Sequence, residues 1–232
     1  MRILVVSATY FEIEPLLLSI GYKEGEKFTI KTFHYHQSSI DVLITGVGLM
    51  HTAYCMGKTL ARQKYDLAVN FGIAGSFRRD ISIGEVVNVT EEQIADLGIE
   101  DKENFLDIIE LNLLHPDQFP YNSGKLVNKP PHSIYKIPEL KKVKGISVNT
   151  AHGNQVTINT VLQKYQPDVE SMEGAAFLYA CLHEHVPCLQ IRGISNYVEH
   201  LNKDTWDIPL AIKNLNKTAR KIIHQGTDNS QI

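Results

Sequence analysis

The chain has 232 residues, of which 43% are hydrophobic and 21% charged, with a formal net charge of −3. That is the composition of an ordinary globular protein, long enough for one α/β domain with a sizeable core. It offers no basic face or stripe for a nucleic-acid partner, and no apolar run long enough to cross a membrane.

Residues 3–6 form a short continuous apolar run, read as a central strand covered on both faces. Glu12 and Glu14 follow too soon for a secretory h-region, so Met1 is read as the true start of a cytoplasmic protein. Residues 12–19 read as a helix with Pro15 in its first turn. Residues 28–35 and 40–45 read as neighbouring strands joined by the polar Gln37-Ser38-Ser39 turn. Residues 49–63 have helical spacing, 67–71 form an apolar strand ending in Gly72-Ile73-Ala74-Gly75, and 85–89 a further strand. Pro116, Pro120, Pro130, Pro131 and Pro138 break up residues 91–142, which read as loops and short helices lining an active-site mouth. A strand over 145–148, a helix over 172–185, a strand over 187–194 and a closing helix over 208–224 follow. Residues 226–232 read as a polar, disordered tail. Strands alternating with helices predict one three-layer αβα domain over 1–225.

Cys55, Cys181 and Cys188 form no C-x-x-C pair and sit among apolar residues, as buried free thiols in a reducing compartment do. The ten histidines show no H-E-x-x-H spacing, and His34 and His36 have no obvious third ligand, so neither metal nor cofactor is expected. Thr45-Gly46-Val47-Gly48 lacks the third glycine of a dinucleotide fingerprint, since position 51 is His51. Phe71-Gly72-Ile73-Ala74-Gly75 lacks the Lys-Ser/Thr of a P-loop. Such glycines let a strand turn sharply into a helix. Both loops also fall at carboxyl ends of strands, where open α/β sheets place ligands, which predicts a small-molecule crevice.

In order along the chain come a first strand followed by Glu12, T-G-V-G at 45–48, N-F-G-I-A-G at 70–75, S-M-E-G-A-A at 171–176 and R-G-I-S-N at 192–196. Each piece alone is weak. Together, over residues 2–225, they resemble the purine nucleoside phosphorylase and methylthioadenosine/adenosylhomocysteine nucleosidase superfamily. The resemblance implies a nucleoside phosphorylase-like fold with a central mixed twisted sheet. Segments 84–92, 95–98, 147–150, 170–177 and 195–199, with Trp206 downstream, are most similar to the futalosine hydrolases of the alternative menaquinone pathway of bacteria. The implied reaction is futalosine plus water giving hypoxanthine and dehypoxanthinyl futalosine.

Hydrolysis of an N-glycosidic bond passes through a ribosyl cation-like transition state, which needs an activated water, a sugar clamp and a stabilised leaving base. From the residues alone, Glu12 is a first-turn glutamate favoured by the helix dipole. The resemblance makes it the general base. It likewise makes Glu173 the ribose-binding carboxylate, with Met172 against the sugar. Glu170 stays open: either the spacing differs by one residue from relatives that carry Glu-Met-Glu, or Ser171 takes the inner position. The third catalytic candidate, Asn196, carries both a donor and an acceptor. Its NH2 suits the carbonyl of a 6-oxopurine, whereas an ionised Asp would face that carbonyl acceptor to acceptor. Asn cannot, however, serve as a general acid. Arg192 is read as a buried brace for Glu173 or for the Asn196 loop. Ala8, Gly46, Val47, Phe71, Gly72, Ile73, Thr150 and Ser195 complete the implied substrate contacts. For the benzoate-like tail, Phe71 and Ile73 are candidates for a slot, Thr9, His51 or Lys203 for the anion, and Tyr197 and Trp206 for closure.

The superfamily's phosphorylases carry an arginine where this chain has Asn70-Phe71, which favours water as the nucleophile, although Arg78 and Arg79 lie nearby. An adenine nucleosidase, an inosine-type phosphorylase and a catalytically silent nucleoside binder remain the competing readings. Relatives are symmetric oligomers, so a homodimer or higher homo-oligomer is expected.

Overall fold

The computed structural model describes residues 1–23, 25, 28–102, 104–128 and 139–227. In chain order, β1 (Arg2–Ser7) leads to α1 (Tyr10–Ser19), β2 (Ile30–Tyr35), β3 (Ser38–Ile44), α2 (Leu49–Leu60), the long β4 (Leu67–Ser76) and β5 (Val86–Ile94). The hairpin of β6 (Gly98–Asp101) and β7 (Asn104–Asp107) follows, then the short β8 (Tyr121–Asn122) and β9 (Lys125–Val127). β10 (Lys141–Ser147), α3 (Gln155–Tyr165), β11 (Val169–Ser171), α4 (Gly174–His183), β12 (Cys188–Tyr197) and α5 (Ile208–Thr227) come last.

Alternate residues of β1 enter opposite layers, as the period of a strand requires. Ile3 and Val5 pack with α1 and α5 through Ile13, Leu17, Leu215 and Ile222. Leu4 and Val6 pack with α2 and α4 through Met56, Leu60, Phe177 and Leu178. This is why the first strand reads as an unbroken apolar run, and it gives the expected three layers around a mixed sheet. The sheet also closes on itself. β4 pairs β12 in parallel and β11 antiparallel, β11 pairs β10, β10 pairs β5, and β5 pairs β12. Val87, Val89, Val143, Val169 and Ile194 form a separate buried cluster on the strands of this ring.

Several expectations need correction. β4 does not stop at Phe71 but runs through Gly72 and Gly75 to Ser76, because these glycines serve close approach within a strand rather than a turn into a helix. Among the described residues, the proline-rich third holds β5 to β9 and turns rather than short helices; Pro130, Pro131 and Pro138 lie outside the described residues. α3 and β11 were not anticipated. α3 is mostly polar and buries only Ile158 and Val161, though the Asn154 side chain caps it at Val156 N (2.8 Å). Finally, Gly226 and Thr227 continue α5, and 228–232 lie outside the described residues. Cys181 and Cys188 are buried as expected, but Cys55 is only half-buried.

α1 begins earlier than expected, at Tyr10, which moves Pro15 into the helix interior. Proline there removes a donor and crowds the preceding turn. Asn216 of α5 reinforces this stretch: its Oδ1 accepts from Leu16 N (2.9 Å) and its Nδ2 donates to Glu12 O (2.8 Å).

Asp41 of β3 is buried and accepts from Arg2 Nε (2.9 Å), Thr32 Oγ1 (2.6 Å) and Tyr65 Oη (2.8 Å). Burial opposes its charge, yet these three donors outweigh it and hold the carboxyl below the usual aspartate range. Tyr65→Phe deprives a buried carboxylate of one donor and should lower stability by about 1.5–3 kcal/mol in urea unfolding. An unchanged midpoint would show that the remaining donors suffice.

Candidate active site

One edge of β4 is given to β12 over its whole length. The other is shared: β1 pairs with Leu67 to Asn70, and β11 with Gly75 and Ser76. In the fork between them lies Ile73, whose N–H donates to Glu12 Oε1 (3.1 Å). A cleft of about 340 Å³ opens here. Size does not single it out, since cavities of about 360 and 460 Å³ lie elsewhere. Its distinction is that buried carboxylates from separate elements converge on it.

Glu12 is the third residue of α1 and closes a capping box with Thr9. Its Oε2 accepts from Ser7 Oγ (3.2 Å), Thr9 N (3.0 Å) and Thr9 Oγ1 (2.9 Å). The helix-start reading and the cleft-facing reading are therefore both met by one side chain. With three donors on Oε2 and one on Oε1, Oε1 keeps the spare acceptor capacity. Glu173 sits at the N-cap of α4 without capping it, and its Oε1 accepts from Gly48 N (3.0 Å). Gly48 holds φ at 100°, a conformation that glycine adopts freely. Burial pushes the Glu173 carboxyl above its usual range, opposed by Arg192 and the Gly48 N–H.

Arg192 is buried at 1% exposure on β12 and faces Glu173, Glu92 and Glu12. Its Nη1 reaches Asn70 O (3.4 Å) and Ile191 O (3.3 Å), while Nε and Nη2 have no hydrogen-bond partner among the described residues. Gly72 lies against both charges: a Cβ there would meet Glu12 Oε1 at 3.2 Å and Arg192 Nη1 at 3.3 Å. Asn196 reaches the cleft because β12 bulges at Ser195, so that Asn196, not Ser195, pairs with Gly75. Its Oδ1 accepts from Ser195 Oγ (2.7 Å) and its Nδ2 donates to Tyr197 O (3.0 Å), which leaves one N–H and one lone pair of the amide.

Of the expected contacts, Ala8, Val47, Ile73, Met172, Ser195, Glu12, Glu173 and Asn196 line the cleft. Gly72 and Arg192 stand behind the carboxylates rather than at its surface. Phe71 is fully buried in the core beneath α1 and α5, because successive residues of a strand face opposite ways. Gly46 packs on the His51 ring, and Thr150 is exposed on the loop after β10. Thr9 and Trp206 line the cleft, whereas His51, Tyr197 and Lys203 do not. Both open positions are filled: Ser171 lines the cleft, and Glu170 does too while binding His152.

Three residues escaped the sequence reading. His152 was seen only as one histidine of ten, and Asn216 as an ordinary helix residue. Glu92 lies under the start of α4, almost fully buried. Its Oε1 accepts from Gln190 Nε2 (2.6 Å) and its Oε2 from Ser147 Oγ (3.0 Å), which also binds Ala175 N (2.8 Å). Burial pushes its carboxyl up to about 7, against Gln190, Arg192 and Ser147 and with Glu173. The folded chain therefore holds a proton there that the unfolded chain releases near pH 4.5. Stability from this site is full below that pH and is lost as pH rises towards 7, by on the order of 2–3 kcal/mol. Glu92→Gln should flatten this dependence in urea unfolding at pH 5 and 8; an unchanged slope would remove Glu92 as its source.

The sequence profile of the phosphorylase superfamily matches residues 2–224. A futalosine hydrolase of Thermus thermophilus is 27% identical over 215 residues, covering 91% of this chain and 93% of its own. A 5'-methylthioadenosine/S-adenosylhomocysteine nucleosidase of Colwellia psychrerythraea is 24% identical over 200 residues, covering 76% and 75%. The solved futalosine hydrolase of Helicobacter pylori superposes with a TM-score of 0.76 at 18% identity, over 98% of this chain and 97% of its own, a likeness of fold.

Proposed function

The chain belongs to the phosphorylase superfamily, and within it we propose that it is an N-glycosyl hydrolase cleaving futalosine with water to hypoxanthine and dehypoxanthinyl futalosine. The observation that carries this reading is an amide, Asn196, in the same cleft as two buried carboxylates, Glu12 and Glu173. The futalosine hydrolase relative supports it.

Glu12 takes a proton from the attacking water at Oε1, the oxygen with acceptor capacity left. Glu173, held by Gly48 N–H, accepts from the ribose hydroxyls and favours positive charge growing on the sugar. Arg192 keeps this pair of carboxylates compatible with burial. Met172, Ile73 and Val47 supply apolar wall, and Trp206 closes it. The remaining N–H of Asn196 donates to the 6-oxo group, and its remaining lone pair accepts from the base. Water rather than phosphate is the nucleophile. Arg78 is engaged with Asp80 and Asp168, and Arg79 with Glu199. Asn70, where the family's phosphorylases carry an arginine, is buried with Nδ2 on Val6 O (3.2 Å). The same reading makes residues 1–225 a single nucleosidase domain, cytoplasmic, homo-oligomeric and part of menaquinone synthesis.

Free base should be released from futalosine as hypoxanthine whether or not phosphate is present. Strict dependence on phosphate would convert the reading to a phosphorylase. Glu12→Gln and Glu173→Gln should each lower kcat by about 10²–10⁴-fold in a folded protein. Near-wild-type turnover by either would remove that residue from the mechanism. Asn196→Asp should shift preference from 6-oxo towards 6-amino purine nucleosides by about 10–100-fold in kcat/KM, the worth of one mispaired buried polar group. Adenine release by the unaltered chain would instead favour the methylthioadenosine-type nucleosidase, in line with the Colwellia relative.

A further inference from the structure

Hydrolysis leaves a requirement that Asn196 does not meet: the departing purine must gain a proton, and an amide has none to give. The cleft holds a second polar pair. His152, on the loop between β10 and α3, donates its backbone N–H to Glu170 Oε1 (2.9 Å), and its ring Nδ1 contacts Glu170 Oε2. Both side chains are largely buried, at 13% and 6% exposure, and both line the cleft with Asn196.

Register places the pair. Glu170 on β11 and Asn196 on β12 are both partners of Gly75, on opposite edges of β4. They are thus two strand spacings apart, roughly 10 Å, a separation that admits a flat base between them. Glu12 binds at Ile73, two residues back along β4, so the water-activating end and this end are distinct. The cavity on the other side of His152 presents Asp96, Glu100, Lys102 and Lys164. Asp96 is taken by Asn149 N–H, and Lys164 by Asp107 and Glu110. The charged group in contact with the ring is Glu170.

We propose that His152, oriented and charge-compensated by Glu170, protonates the leaving purine. This rests on the nucleosidase reading above. As the C1'–N9 bond breaks, its electron pair passes to the base. A ring nitrogen of the base takes the proton from His152 Nε2, water bonds to C1', and Glu12 takes the water's proton. Glu12 then passes its proton to solvent and His152 regains one from solvent, which completes the cycle.

The test compares futalosine with its N7-methylated derivative, whose base departs neutral without a proton. His152→Asn and Glu170→Gln should lower kcat on futalosine by about 10²–10³-fold, and on the methylated nucleoside by less than about tenfold, with His152→Asn the more severe. Equal losses on both substrates in both variants would make the pair structural and overturn the inference, as would undiminished turnover. A wild-type chain that releases base from neither substrate overturns the nucleosidase reading itself. A wild-type chain active on both, with variants that do not discriminate, overturns only the role of His152.

Discussion

β4 gives one edge to β12 and divides the other between β1 and β11. Everything in the cleft depends on this division. A backbone amide in the fork has to find a partner other than a strand, and Ile73 finds Glu12. The same fork lets the ends of β1, β11 and β12 meet, so that Glu12, Glu170, Glu173 and Asn196 open on one space although far apart in sequence. Gly72 and Gly75 are what allow side chains to approach the strand so closely.

The second constraint is charge. Three carboxylates, Glu12, Glu92 and Glu173, stand around one buried guanidinium. Arg192 opposes their burial, but it does so without a direct partner for Nε and Nη2 among the described residues. One cation against three acids leaves an excess of negative charge. Glu92 is the most deeply buried of the three, and burial pushes its carboxyl up to about 7. Glu12 meets it differently, through four hydrogen bonds, two of them from backbone amides. Each of the three buried acids thus has a hydrogen-bond partner, and Glu92 is in addition pushed towards its protonated form.

Much of this was legible in the sequence. The apolar run of β1, the helical period of α2 and the amphipathic α5 follow from packing against a two-faced sheet. Glu12, Glu173 and Asn196 stand out because they sit in motifs whose order is informative, and all three line the cleft. What escaped was whatever a local irregularity controls. Two bulges reverse the alternation of side chains. One, in β5 where Val143 and Lys144 of β10 pair with Val89 and Glu91, lies just before the buried Glu92. The other, at Ser195, presents Asn196. Phe71 was misplaced for the opposite reason: regular alternation sends it to the core, next to residues that face the cleft. α3 escaped because its inward face is two residues wide. His152 and Asn216 act on partners 18 and 200 or more positions away, where no local pattern points.

Asn216 also couples two parts of the cleft that lie far apart in sequence. The helix bearing Glu12 takes part of its anchoring from far along the sequence. The amide that ties Glu12 O to α5 lies 204 positions later. Trp206 and Ile208, which wall the cleft, lie at the start of the same helix or just before it. Glu12 is thus set by a contact that no neighbouring segment supplies. Loosening of α5 would therefore undo the wall of the cleft and the anchor of Glu12 together.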